Sequence, residues 1–101
     1  MMIYEVLRYQ ARNSRQPFTE WFLSFKDKNV QTSILDRIDR LKVGNFGDYK
    51  RVGNGVSELR IHFGPGYRIY FGIDGEKIII LLCGGDKSSQ SVDIYQAQTY
   101  C

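Results

Sequence analysis

Four side chains suited to phosphate chemistry recur at alternate positions on either side of a Gly-Pro-Gly turn at 64–66. Arg60 and His62 precede the turn, and Arg68 and Tyr70 follow it. Alternate residues of a strand share a face, so we expect these side chains together on the polar face of a β-hairpin. A symmetric turn would place His62 opposite Arg68 and Arg60 opposite Tyr70. Guanidinium groups bind phosphate oxygens bidentately and tyrosine can stack on a base, so the pattern favours a phosphate site.

The same pattern is also typical of a plain solvent-facing sheet surface, because antiparallel sheets often keep one polar face. Glu58 shares the predicted face with Arg60, and an ion pair between the two would be structural. The functional interpretation gains from two arginines placed across from each other with few acids between them. Lys87 follows a predicted strand where a helix begins, so its ammonium group and the helix amides could face an anion together.

The elements that position these residues follow from the hydrophobic pattern. Residues 2–8 are β-rich and predict a strand. Pro17 is well placed at a helix start, and an aromatic stripe of Phe18, Trp21, Phe22 and Phe25 predicts a first helix whose stripe belongs to the core. Apolar residues at helical spacing over 30–41, closed by Lys42 and Gly44, predict a second helix. The short link between the helices predicts an antiparallel helical hairpin.

The second half of the chain changes to the period of strands. Residues 56–63, 67–73 and 77–83 predict a three-stranded antiparallel meander with turns at 64–66 and at Asp74-Gly75. The last strand is apolar throughout, which predicts a central position covered on both faces. Ser88, Ser89 or Ser91 could cap a short C-terminal helix. The predicted fold class is therefore α+β, with helices packed on one antiparallel sheet.

Length and composition define the class of protein. The 101 residues predict a single domain over 1–101. A formal net charge of +3 permits a polyanionic partner without requiring one. No apolar run approaches the ~18 residues of a membrane span, and no signal-peptide pattern is visible at the N-terminus. We expect Cys83 and Cys101 to be free thiols, as in proteins of a reducing cytoplasm.

Metal and cofactor sites are not predicted. The chain has one histidine and two separated cysteines, which leaves too few ligands for a structural zinc site. The loop glycines at 53–55 and 84–85 lack the strand-to-helix context of a nucleotide-binding fingerprint. Arg12 and Arg15 form part of a loose basic segment before the first helix. They are candidates for contacts with RNA, although such arginines are more often plain solvent surface.

Three segments together resemble a known family of bacterial toxins. They are VSELRI at 56–61, GYRIYF at 66–71 and GGDKSSQ at 84–90. In these segments the chain is similar to the RelE/ParE toxin superfamily, and within it to the HigB-like addiction module killer proteins. The opening Tyr4-Glu5-Val6 strand and the aromatic first helix are also similar to that branch, so the resemblance extends over nearly the whole chain.

The resemblance implies a RelE-like fold and the toxin of a type II toxin–antitoxin system. Such a toxin is held in a hetero-oligomer by a cognate antitoxin, here expected to be a helix-turn-helix protein. RelE-type members cleave mRNA in the ribosomal A site without metal, through attack of the 2′-hydroxyl on the adjacent phosphate. Arg68 and Lys87 match basic positions of the family, and Arg60 lies near a position where RelE members hold Lys. His62 has no family counterpart, and its role as general acid or base rests on its chemistry.

The chain departs from RelE where that protein carries a catalytic tyrosine after the last strand. Here Tyr95 lies one or two residues further on and could substitute for that tyrosine if the backbone shifts, and Tyr70 is the tyrosine of the predicted hairpin face. Both are candidates for contact with RNA. Three hypotheses stay open. The leading one is a ribosome-dependent mRNA interferase; the others are a ParE-type DNA gyrase inhibitor and a catalytically silent protein that only binds its antitoxin. Fold alone does not separate these functions.

Overall fold

A computed structural model describes residues 3–100 as a mixed five-stranded sheet with helices on both faces. The elements are β1 (Glu5–Arg8), α1 (Pro17–Leu23), α2 (Lys28–Lys42), β2 (Tyr49–Gly53), β3 (Val56–Ile61), β4 (Tyr67–Asp74), β5 (Ile78–Gly85) and α3 (Gln90–Tyr100), with a 3-10 turn at Lys87–Ser89 before α3. The strand order is β1-β5-β4-β3-β2. Strands β2 to β5 are antiparallel neighbours, whereas β1 pairs in parallel with β5. This architecture confirms the α+β class.

The meander has one strand more than the sequence predicted. β2 adds a fourth antiparallel strand beside β3, and it was missed because its sequence, YKRVG, lies at an exposed sheet edge and shows no apolar alternation. The first predicted strand begins at residue 2, outside the described residues, and is a strand from Glu5 to Arg8. β5 lies between β1 and β4, which confirms the central strand, but it continues through Gly84 and Gly85, where the sequence predicted its end.

The two predicted helices form with shifted ends. α1 stops at Leu23, two residues before the last aromatic of its stripe. α2 begins earlier than predicted because the Asp27 side chain caps it by accepting the Asn29 amide at 2.8 Å. The Gln31 side chain donates to the backbone oxygens of Phe22 and Phe25, which ties the start of α2 to the end of α1.

Two apolar clusters hold the layers together, one on each face of the sheet. On the first face α1 and α2 pack on the sheet through Phe18, Phe22, Val30, Ile34, Ile38, Leu41, Leu59, Ile61, Ile69, Phe71, Ile79 and Leu81. On the second face α3 packs through Ala97 against Val56, Tyr70, Leu82 and Cys83. No helix within residues 3–100 is long and apolar enough to cross a membrane.

The end of β5 needs glycine because side chains approach it from both faces. A Cβ atom on Gly84 would overlap the Trp21 ring of α1. A Cβ atom on Gly85 would overlap the Asp93 carboxylate of α3. Side chains of α1 and α3 therefore approach the backbone of β5 closely at this end of the sheet.

The β3–β4 connection is longer than a symmetric three-residue turn. The ladder ends at the Ile61–Tyr67 pair, and Arg60 lies opposite Arg68. His62 has already left the strand, since the Phe63 amide donates back to the Ile61 oxygen at 3.0 Å. The predicted pairs His62–Arg68 and Arg60–Tyr70 are therefore wrong in register.

Candidate functional site

A fully buried carboxylate lies on the second face of the sheet, on β3. Glu58 has 0% exposure, and it accepts hydrogen bonds from Arg60 Nε at 3.1 Å, the Tyr70 hydroxyl at 3.1 Å and Gln90 Nε2 at 2.8 Å. Arg68 Nε lies 3.6 Å from the same carboxylate. We call these five residues the Glu58 cluster. The face predicted to be solvated is thus covered by α3, which contributes Gln90.

Glu58 is ionised inside this cluster. Burial alone would raise the pKa of Glu58, but hydrogen bonds from Gln90, Arg60 and Tyr70 and the charge of Arg68 outweigh burial and hold that pKa below its ordinary value. Within the cluster one carboxylate faces two guanidinium groups, and the Asp86 carboxylate, whose pKa is lowered mainly by hydrogen bonds from Ser88 and also by the charge of Arg68, lies nearby. The predicted structural pair of Glu58 and Arg60 is present, and it coexists with a second arginine.

Glu58 accepts a hydrogen bond from Arg60 Nε, whereas Arg68 Nε is buried without a hydrogen-bond partner among the described residues and meets Glu58 only as an ion pair. Terminal nitrogens of both arginines remain available. The Arg60 side chain is 33% exposed and the Arg68 side chain 13% exposed. Arg68 Nη1 donates to the Gly66 oxygen at 3.1 Å. Within residues 3–100, both Arg60 Nη atoms and Arg68 Nη2 have no hydrogen-bond partner in the protein. Such free nitrogens are suited to bind oxygens of a phosphate group.

Tyr70 has a different place from the one predicted. Its side chain is fully buried and its hydroxyl donates to Glu58. Burial and the neighbouring Glu58 charge raise the pKa of Tyr70 far above its ordinary value. The predicted stacking of Tyr70 on RNA therefore gives way to a role within the Glu58 cluster.

Lys87 lies at the same end of the sheet as the arginines. Arg68 pairs with Gly85 on β5, and exposed Lys87 follows two residues later, at the start of the 3-10 turn. Lys87 also shares a shallow cleft with Pro65 of the β3–β4 connection. The expected contribution of helix amides is corrected, because the Asp86 side chain already accepts the Ser88 amide at 2.8 Å. Asp86, rather than a serine, provides the cap.

His62 faces a separate cleft of about 350 Å³ between α2 and the end of β3. Its side chain is 78% exposed, and Nε2 lies 2.6 Å from the Asp48 carboxylate. Asp48 is fixed beside β3, because its backbone oxygen accepts the Arg60 amide at 2.9 Å. Arg37, Arg40 and Arg60 also line this cleft. The structure thus separates His62 from the Glu58 cluster, with Arg60 bordering both.

The remaining predicted RNA contacts lie outside the Glu58 cluster. Arg15 forms an exposed bidentate ion pair with Glu20, with Nε 3.0 Å from Oε2, and this hydrogen bond raises the pKa of Arg15. Arg12 is exposed in the loop before α1. Tyr95 is 69% exposed on α3. Within residues 3–100, none of the three hydrogen-bonds to a member of the cluster.

Two residues of this region were missed from the sequence. Gln90 bridges α3 to Glu58 across 32 positions of the chain, a contact that no local pattern encodes. Lys50 lies opposite Glu58 in the β2–β3 register, so its side chain is on the face that carries the cluster. The GGDKSSQ segment ends on Gln90 and was the only sequence signal near it. Within residues 3–100, no group of three or more His, Cys, Asp and Glu side chains is arranged to hold a metal ion.

Comparison with known proteins places the chain in a family. The family model described as "Phage derived protein Gp49-like (DUF891)" matches residues 20–99. The chain belongs to the Gp49-like family. A Haemophilus influenzae (strain Rd) protein, named only "Uncharacterized protein", is 48% identical over 81 residues, which cover 80% of this chain and 82% of the relative. The region matched to the Gp49-like family contains the whole Glu58 cluster and Lys87, whereas Arg12 and Arg15 lie outside it.

Proposed function

We propose that this Gp49-like protein is the toxin of a type II toxin–antitoxin pair and cleaves messenger RNA on the ribosome without a metal ion. The observation that supports it most is the pair of arginines, Arg60 and Arg68, held side by side on Glu58 with terminal nitrogens free. Lys87 lies at the same end of the sheet. The resemblance to RelE and HigB proteins supplies the reaction and the target.

In the proposed reaction the 2′-hydroxyl of one nucleotide attacks the adjacent phosphorus atom. The bond from phosphorus to the 5′-oxygen breaks, which leaves a 2′,3′-cyclic phosphate and a 5′-hydroxyl. Negative charge grows on the phosphate oxygens in the transition state, and fixed cations are effective because they need not reorganise. Arg60, Arg68 and Lys87 supply that charge stabilisation.

Proton transfer is assigned to His62. The Asp48 carboxylate, 2.6 Å from Nε2, orients the imidazole ring, as carboxylates orient catalytic histidines in other active sites. Arg60 lines the same cleft as His62, so an RNA strand that reaches from the cleft to the cluster passes both. His62 accepts the proton of the 2′-hydroxyl or donates one to the leaving 5′-oxygen, and water carries out the other of these two proton transfers.

The partners follow from the same proposal. A cognate helix-turn-helix antitoxin holds the toxin in an inactive hetero-oligomer in the cytoplasm, and the ribosome presents the mRNA. Arg12, Arg15 and Tyr95 are exposed and are the proposed peripheral contacts with RNA. Lys50 extends the positive surface from the Glu58 cluster to the edge strand β2.

The decisive experiment compares Arg68→Ala with a matched exposed arginine. Arg51 lies on the same sheet but pairs with Ser57, so its side chain is on the face opposite Glu58. We expect induced wild-type protein and Arg51→Ala to arrest growth and to produce mRNA cuts at defined codon positions. Arg68→Ala should do neither, provided that its thermal unfolding shows a folded protein.

Two outcomes would contradict the proposal. Intact mRNA together with DNA breaks and trapped gyrase would favour the gyrase inhibitor. Absence of growth arrest on overproduction of the wild-type chain, free of antitoxin, would favour the silent antitoxin-binding protein.

A further inference from the structure

Glu58 has no exposed acceptor to offer a substrate. It is fully buried, Oε1 accepts from Arg60, and Oε2 accepts from both Tyr70 and Gln90. A buried carboxylate is tolerated only when it is paired and hydrogen-bonded. Glu58 therefore cannot act directly on RNA as a base, and the groups that it touches decide its role.

Glu58 meets both arginines at the same atom of the guanidinium group, the Nε. Arg60 Nε donates a hydrogen bond to Glu58 at 3.1 Å. Arg68 Nε lies 3.6 Å from Glu58, an ion-pair distance too long for a hydrogen bond, and has no hydrogen-bond partner among the described residues. A guanidinium group is planar and carries five N–H donors in fixed directions. When it contacts a carboxylate at its Nε edge, terminal N–H groups therefore stay directed away from that carboxylate. Arg60 and Arg68 are direct cross-strand partners, so their like charges repel unless a carboxylate lies between them.

We propose that Glu58 is a positioning residue that holds Arg60 by a hydrogen bond at Nε and Arg68 by an ion pair at its Nε edge, so that the terminal nitrogens of both converge on one phosphate group. This inference rests on the proposed function for the identity of the phosphate, an RNA phosphodiester, but the arrangement of the arginines can be tested without RNA. Tyr70 and Gln90 hold Glu58 in turn, so the carboxylate keeps its orientation when the arginines engage a ligand.

The Nε–H groups report the proposed contact directly. In nitrogen-15 NMR spectra of the wild-type protein, the Arg60 Nε–H should exchange with water at least about tenfold more slowly than that of Arg12, because a buried acceptor protects it. Arg12 is a suitable reference because it is exposed and lies in a loop. Equal exchange rates for Arg60 and Arg12 would overturn the proposal, whatever the protein does to RNA.

The variant Glu58→Gln tests the consequence for function. It keeps the size of the side chain but removes the charge between the arginines, so the exchange protection of the Arg60 Nε–H should weaken. Cleavage of mRNA should fall by about 100-fold, the order expected for a misplacement near 1 Å. Affinity for a single-stranded RNA oligonucleotide should not weaken, because the loss of a negative charge leaves more positive charge at the site.

A second variant separates positioning from simple stability. Gln98→Ala removes a hydrogen bond that α3 donates to the Val52 oxygen at 2.9 Å and, among the described residues, involves no member of the Glu58 cluster, so cleavage should stay within about threefold of wild type while thermal stability falls. The proposal would be contradicted if Glu58→Gln cleaved mRNA as well as the wild type does. It would also be contradicted if the variant lost RNA binding and cleavage together. Wild-type protein that shows the protected Nε–H but neither binds nor cleaves RNA would refute the proposed function and leave the positioning role standing.

Discussion

Replacement of Tyr70 by phenylalanine gives the clearest measure of how the buried Glu58 is stabilised. The substitution removes only the hydroxyl that donates to Glu58 at 3.1 Å, and the ring keeps its place in the core beside Leu82 and Ala97. A hydrogen bond to a charged group contributes about 1.5–3 kcal/mol. The unfolding entropy of about 2.1 cal/mol/K per residue gives about 0.21 kcal/mol/K for 101 residues. We therefore expect Tm to fall by about 7–14 °C at neutral pH.

The pH dependence of this loss carries a definite sign. Although burial raises the pKa of Glu58, its hydrogen bonds outweigh that effect and the folded-state pKa is lowered. Stability from Glu58 is therefore fully present above the ordinary pKa of an unfolded glutamate, about 4.3. It is lost as pH falls through the folded-state value. The gap in Tm between wild type and Tyr70→Phe should thus be constant from pH 6 to 7 and should narrow below about pH 4.3.

The assay is thermal unfolding followed by circular dichroism at a series of pH values. Tyr95→Phe serves as the control, because Tyr95 is exposed on α3 and loss of an exposed hydroxyl should change stability by less than about 0.5 kcal/mol. A Tyr70→Phe protein as stable as wild type at pH 7, or a gap that widens as pH falls, would refute the reasoning.

Two further predictions test the packing around β5. Gly84→Ala should destabilise the protein by about 1–3 kcal/mol, because its methyl group would overlap the Trp21 ring; denaturant unfolding measures this, and a neutral result would contradict the close approach. Burial raises the pKa of the Cys83 thiol to about 12, so in the native protein at pH 8 Cys83 should stay unmodified by iodoacetamide and should react once the chain is unfolded. Peptide mass spectrometry locates the label, and rapid native labelling of Cys83 would show that the cluster around it opens.

The sequence predicted those elements whose apolar pattern is set by burial. Phe18 and Phe22 mark α1, and the regularly spaced Ile34, Ile38 and Leu41 mark α2, because these side chains face the sheet. The continuous apolar run of β5 correctly indicated a strand covered on both faces. β2 escaped prediction because backbone pairing to β3 and its place at the sheet edge, rather than burial of an apolar face, define it.

The candidate site was predicted in its residue types more fully than in its geometry. Arg60 and Arg68 do share a face, as strand parity requires. The position of Glu58 could not be inferred, since burial of its carboxylate depends on Gln90 from a helix that follows far along the chain. The place of His62 depended on the length of the turn, which the Phe63-to-Ile61 hydrogen bond decides.

The parallel pairing of the first strand affects the order in which contacts form while the chain is being synthesised. β1 has no sequence neighbour in the sheet, since Glu5 pairs with Ile78 and Arg8 with Leu81. Pairings between segments so distant in sequence form late, because the chain between them must first be ordered. During synthesis β1 therefore has no strand to pair with until β5 has emerged from the ribosome. Gln90, which completes the Glu58 cluster, emerges later still. While residues 69–90 are added, a nascent chain thus carries Arg60 and Arg68 without the arrangement that the finished protein gives them.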